Sequence, residues 1–159
     1  MPSIELAFSP EEDKITLVRR FVEQFSEKII GDEDAAARIA MTAHELLENA
    51  AKYSTDGMAR LSIQVEHRPT SDQVQVILIN HGRPEAIREL QAIFDEMSKF
   101  TSAFAFYQSL MTRTGKHRRG SGLGLGRIMV EGEMRLRLEL RDDEVVIRAE
   151  TELLKQVAA

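Results

Sequence analysis

The chain has 159 residues, 43% of them hydrophobic and 30% charged, with a formal charge of −5. That length and apolar content describe one domain, residues 1–159, able to bury a core without staples, and the acidic balance argues against a general nucleic-acid or membrane-surface role. Cysteine is absent, which excludes thiolate catalysis, cysteine-based zinc sites and disulfides; with no leader-like segment and no run of spanning length, a cytoplasmic protein is expected.

Ile4, Leu6 and Phe8 alternate with Ser3, Glu5 and Ala7, the period of a half-buried strand. Ser9, Pro10 and Glu12 then predict a capped helix start, with serine as N-cap, proline at the first helical position and glutamate three residues after the cap. Val18, Phe21, Val22, Phe25 and Ile29 continue at helical spacing, and Gly31 suits a left-handed terminator. Asp32 or Asp34 caps a second helix running from about residue 34 to Tyr53, where Ser-Thr-Asp-Gly stops it.

"ARLSIQVEH" and "QVQVILIN" read as two strands of a hairpin, turning around Pro69 to Asp72. A helix is expected from Glu85 to about Lys99. A further one in "SAFAFYQSLMTRT" carries Phe100, Phe104, Tyr107 and Leu110 or Met111 on a stripe that reads first as a core-facing or lid surface. "GKHRRGSGLGLG" is a glycine-rich loop leading into a short helix from about Arg127. Two alternating strands, through Met134, Leu136, Leu138 and Leu140 and through Val145, Ile147 and Ala149, end the fold. Each strand has one apolar and one polar face, so helices should cover a single side of an antiparallel or mixed sheet. The expected class is α+β, a two-layer α/β sandwich.

In the second helix, Glu45, Glu48, Asn49 and Lys52 share a narrow sector, because offsets of three, four and seven residues return to one face. Ile39, Ala43, Leu46, Leu47 and Ala50 take the opposite side. Taken alone, the polar stripe reads as a solvated face. His44 followed by Glu45 also invites a phospho-acceptor reading, opposed by the lack of a second nucleotide-binding segment downstream.

Glycines at 120, 122, 124 and 126 recur every second residue. The run is neither a Walker loop, since Gly115-Lys116 lacks a following Ser or Thr, nor a dinucleotide fingerprint, since no early strand precedes it. Backbone N–H groups free of Cβ atoms before a helix still suit a polyphosphate, and Lys116 to Arg119 raise the local potential. A flexible connector is the plainer alternative, opposed by the leucines between the glycines.

These pieces, with "LINHGRP" between them, resemble the GHKL or Bergerat-fold ATPases, which include gyrase and histidine kinases. They comprise Glu-x-x-x-Asn on a helix, a strand ending in an acid or amide followed by x-Gly, a helical lid insert at about 83–119, and Gly-x-Gly-x-Gly opening a helix. The short free-standing form is similar to bacterial anti-sigma-factor-type serine/threonine kinases. That resemblance implies ATP and Mg²⁺ as ligands, helices on one face of a mixed, mostly antiparallel sheet, and a STAS-like regulatory partner; it leaves homodimerisation open. Carried over by residue, Glu45 would be the general base and Asn49 the magnesium ligand. Lys52 would contact phosphate. Asn80 and Gly82 would hold the adenine. The run Arg119, Gly120, Ser121, Gly122, Leu123, Gly124 would wrap the triphosphate. Histidine kinases usually carry Asn where Glu45 stands, so the glutamate favours the serine/threonine kinase branch. Asn80 replaces the family's aspartate and Pro84 its second glycine, which predicts weaker and less base-selective binding. The alternative is a degenerate binding module that sequesters its partner without phosphoryl transfer.

Overall fold

The computed structural model describes residues 1–113 and 122–156. Among them the order is β1 (Ser3–Phe8), α1 (Glu12–Ile30), α2 (Glu33–Tyr53), β2 (Ala59–His67), β3 (Ser71–His81), α3 (Pro84–Met97), α4 (Ala103–Arg113), α5 (Leu123–Val130), β4 (Arg135–Arg141) and β5 (Glu144–Leu154). The strands form one sheet in the order β1-β2-β3-β5-β4, with every ladder antiparallel. The choice between an antiparallel and a mixed sheet therefore resolves to antiparallel.

Register follows the alternation of the sequence, because a slip of one residue would turn each apolar set outward. Ile63 faces Val76, Val76 faces Ala149 and Ala149 faces Leu136, all buried on the side covered by helices. The other side carries charge: Arg148 Nε donates to Glu139 Oε1 at 2.9 Å, across from the buried Val146. This is the two-layer α+β sandwich expected.

Helix α2 is the centre of the helical layer. Ten of its residues are buried, among them Ile39, Ala43, Leu46, Leu47 and Ala50, the apolar side anticipated from spacing. Asp32 caps it through a bond from the Ala35 N–H to Asp32 Oδ1, 3.0 Å. Gly31, at φ 76°, ends α1 in the left-handed region, its N–H bonded to the Glu27 carbonyl at 2.8 Å. Ser54 to Met58 close α2 with a tight turn in which Asp56 Oδ1 accepts from the Met58 N–H at 3.0 Å and from Ser54 Oγ at 3.0 Å. Those bonds, the Met58 one first, hold the Asp56 carboxyl below the usual carboxylate range.

Three local expectations are corrected. Helix α1 begins at Glu12 with Glu11 as N-cap and no side-chain cap bond, so Ser9 and Pro10 precede the helix. Pro10 is buried and the Glu11 N–H bonds to the Ser9 carbonyl at 2.9 Å, so packing of the strand-to-helix turn delays the start. Helix α5 begins at Leu123, four residues before the expected Arg127, because Leu125 and Ile128 are drawn into the core at i, i+3 spacing. On α4 the buried residues are Phe106 and Leu110, whereas Phe104 and Met111 lie exposed. The reason is that α4 packs on α5, where Gly126 makes room for Tyr107 and Leu110.

Candidate functional site

The fold brings the polar turn of α2 against the start of α5. A methyl group added at Gly124 would come within 2.7 Å of Glu45 Oε2, so the missing Cβ is what lets the two helices approach here. Glu45 is not on a solvated face. Its side chain is 14% exposed and its Oε1 accepts from Arg127 Nη1 at 2.9 Å. Arg127 also bonds Glu131 Oε2 through Nε, and this bond first, then the charge of Glu45, pushes the guanidinium above its ordinary pKa against the effect of burial. Tyr107, near the same carboxylates, has its phenol pushed up by burial and by Glu131.

One turn on, Asn49 lines a slot between α2, the end of β3, β5 and α3, whose other walls include Tyr53, Asn80, Gly82, Ile87 and Leu90. Asn49 thus lines one slot with Asn80 and Gly82, which follow it by more than thirty residues in sequence. Asn80 is 7% exposed, and its Nδ2 donates to the His81 carbonyl at 3.3 Å. Gly82 donates its N–H to the Asp143 carbonyl at 2.9 Å, with Ile87 and Val145 where a Cβ would stand. Pro84 is the first residue of α3, where a missing N–H costs nothing.

Of the other expected site residues, Lys52 stands apart. Lys52 is exposed in the last turn of α2 and does not line the slot; a cation there complements the carbonyl end of the helix. His44 is a quarter exposed, with Nε2 3.7 Å from Glu48 Oε1. Gly122 is the left-handed N-cap of α5, and a Cβ on it would meet Ile93 at 2.8 Å. Leu123 and Gly124 lie inside α5, not in a loop before it, which corrects their expected role as loop residues. Arg119, Gly120 and Ser121 fall outside the described residues.

The slot does not take a nucleotide as it stands. Its free volume is about 10 Å³, room for one water at most, whereas small-molecule sites occupy roughly 300–1,000 Å³. Ile87 and Leu90 of α3 form one of its walls. The donor set suits a polar ligand all the same, since Asn49 Nδ2 is buried with no hydrogen-bond partner. A larger cleft of about 780 Å³ lies elsewhere, lined by Gly31, Asp32, Arg38, His67, Asp72 and Lys155, and includes none of the expected site residues. Sequence reasoning missed Arg127 as the partner of Glu45, Ile87 and Leu90 as walls of the slot, and Ile93 as the side chain against Gly122. The apolar i, i+3, i+6 spacing of those three was visible in the sequence, but not what it would pack against.

No protein-family model matches the chain, and no curated protein matches it by sequence. Among solved structures, it is similar to a chain of the SiaB–SiaC complex from Pseudomonas aeruginosa. The two are 14% identical with a TM-score of 0.55, over 94% of this chain and 89% of that one. At that identity the likeness bears on the fold, and it spans nearly the whole sandwich.

Proposed function

We propose that the chain is an ATP-dependent serine/threonine protein kinase of a partner-exchange system, binding and phosphorylating a STAS-like regulatory protein in the cytoplasm. The observation that carries this reading is the convergence of Glu45 and Asn49 on one side of α2 with Asn80, Gly82 and the glycine-bearing start of α5. In this reading Glu45 accepts the proton of the partner's hydroxyl, and Asn49 and Asn80 offer amides to magnesium and to the base. The similar solved chain comes from a complex of two proteins, which accords with a partner-binding role. No helix among the described residues is long and apolar enough to cross a membrane.

The closed slot favours a second reading, a module that holds its partner without transferring phosphate. One assay separates the two. The chain is incubated with labelled ATP, Mg²⁺ and a co-encoded STAS protein, and wild type is compared with Glu45→Gln, which keeps the side chain's shape. The kinase reading expects label on a partner hydroxyl, reduced about 100-fold or more in the variant, the usual scale of a lost general base. A stable complex with no label in either protein selects the module.

A further inference from the structure

The slot beneath α3 combines three features that do not suit a permanent core. It has almost no free space, it leaves the Asn49 amide nitrogen buried without a partner, and the helix beside it buries one residue and lacks a side-chain cap. Leu90 is the one buried residue of α3; Ile87, Ile93, Phe94 and Met97 pack against the core only in part, and Glu96 is tied to Arg113 of α4 by an exposed ion pair of 2.6 Å. Arg83, the N-cap, makes no side-chain bond to the helix. In no described pair of elements does the α3 backbone approach a neighbour as α1 approaches α2 or α4 approaches α5. An unpaired buried donor raises the free energy of the closed form, and few buried apolar contacts lower the cost of opening it.

We propose that α3 is a displaceable plug: the space between α2 and β3 is a ligand cavity that α3 occupies with its own apolar side chains, and nucleotide enters only when α3 swings away. The identity of the ligand rests on the kinase reading; the plug does not. With α3 withdrawn, the cavity keeps the amides of Asn49 and Asn80 and, on the strand next to Asn80, the apolar Val145 and Ile147, a mixture of polar and apolar groups that suits a flat heteroaromatic ring. The hinge falls at Arg83, between Gly82, which is bonded to Asp143, and Pro84 at the start of α3. Apparent affinity is then the intrinsic affinity scaled by the fraction of open molecules, so whatever holds α3 out raises it.

Because the chain has no cysteine, one introduced thiol reports on one site. Leu90→Cys is labelled with an aromatic disulfide under native conditions and compared with Leu47→Cys on α2, where the parent side chain is fully buried. Partial opening precedes global unfolding, so the α3 position is expected to react about 100-fold faster, with a rate flat in low denaturant, and Mg-ATP is expected to speed it further. Equal rates with equal denaturant dependence would overturn the plug. Fast labelling that Mg-ATP leaves unchanged keeps the plug and removes nucleotide as its occupant, and with it the kinase reading. Should Leu90→Cys not fold, amide hydrogen exchange of the unaltered chain gives the same readout, faster along α3 than along α2 and faster still with Mg-ATP.

Discussion

Helices α2 and α3 line the same slot from two sides and are anchored in opposite ways. Over its 21 residues α2 buries ten and is capped by the Asp32 side chain; α3, with 14 residues, buries one and has no such cap. Each large apolar side chain fully buried contributes about 1.5–3 kcal/mol, so α2 moves only when the whole core gives way, whereas α3 is held by one buried leucine and four side chains packed in part. The candidate chemistry sits on the first and the obstruction on the second. A site that must be both accurate and closable needs that division, since geometry is kept by the element that cannot move and access by the one that can.

The comparison is broken most directly by matched truncations. Leu47→Ala should lower global stability by about 2–5 kcal/mol, the range for a leucine removed from a sealed core. Leu90→Ala should cost less, about 1–2 kcal/mol, because its contribution is bounded by what docks α3. Urea unfolding of the two variants measures both, and equal losses would mean that α3 is as much core as α2. Next in size, Asp32→Ala removes the cap on α2 and is expected to cost about 1 kcal/mol, read as a lower melting temperature with no change in thiol reactivity at Leu90→Cys. The smallest effect sharpens the contrast from the other side. Arg83 has the extended backbone of an N-cap, φ −72° and ψ 153°, so Arg83→Asp should supply the bond α3 lacks and stabilise its docked form by about 0.5–1 kcal/mol. Labelling at position 90 would slow severalfold, and a rate left unchanged would show that the helix opens without unwinding at that end.

Much of the fold was legible because it rests on periodicity and on local caps. The alternation of Leu136, Leu138 and Leu140 fixed both the strand and its register with Ala149, Ile147 and Val145, and Gly31 and Asp32 ended one helix and began the next as their chemistry requires. What sequence could not supply was the neighbour. Ser9 and Pro10 carry a start signal, and tertiary burial of Pro10 overrode it. The glycines were read through their backbone N–H groups. In the described structure Gly122, Gly124 and Gly126 each leave space for a particular side chain, Ile93, Glu45 and Tyr107, none of them near in sequence. The polar sector of α2 was placed correctly on the helix, but only packing decided that Glu45 would be sheltered and Lys52 exposed.

Arg127 has a mechanical consequence. By grasping Glu45 on α2 while bonded to Glu131 just past the end of α5, it acts as a strut between two helices that Gly124 already allows to touch. The pair should therefore travel as a single rigid body, leaving the jaw on the far side as the part free to hinge. A regulator that lengthened or severed the strut would loosen the anvil instead of the hammer, and would blunt the chemistry without changing how readily the mouth opens.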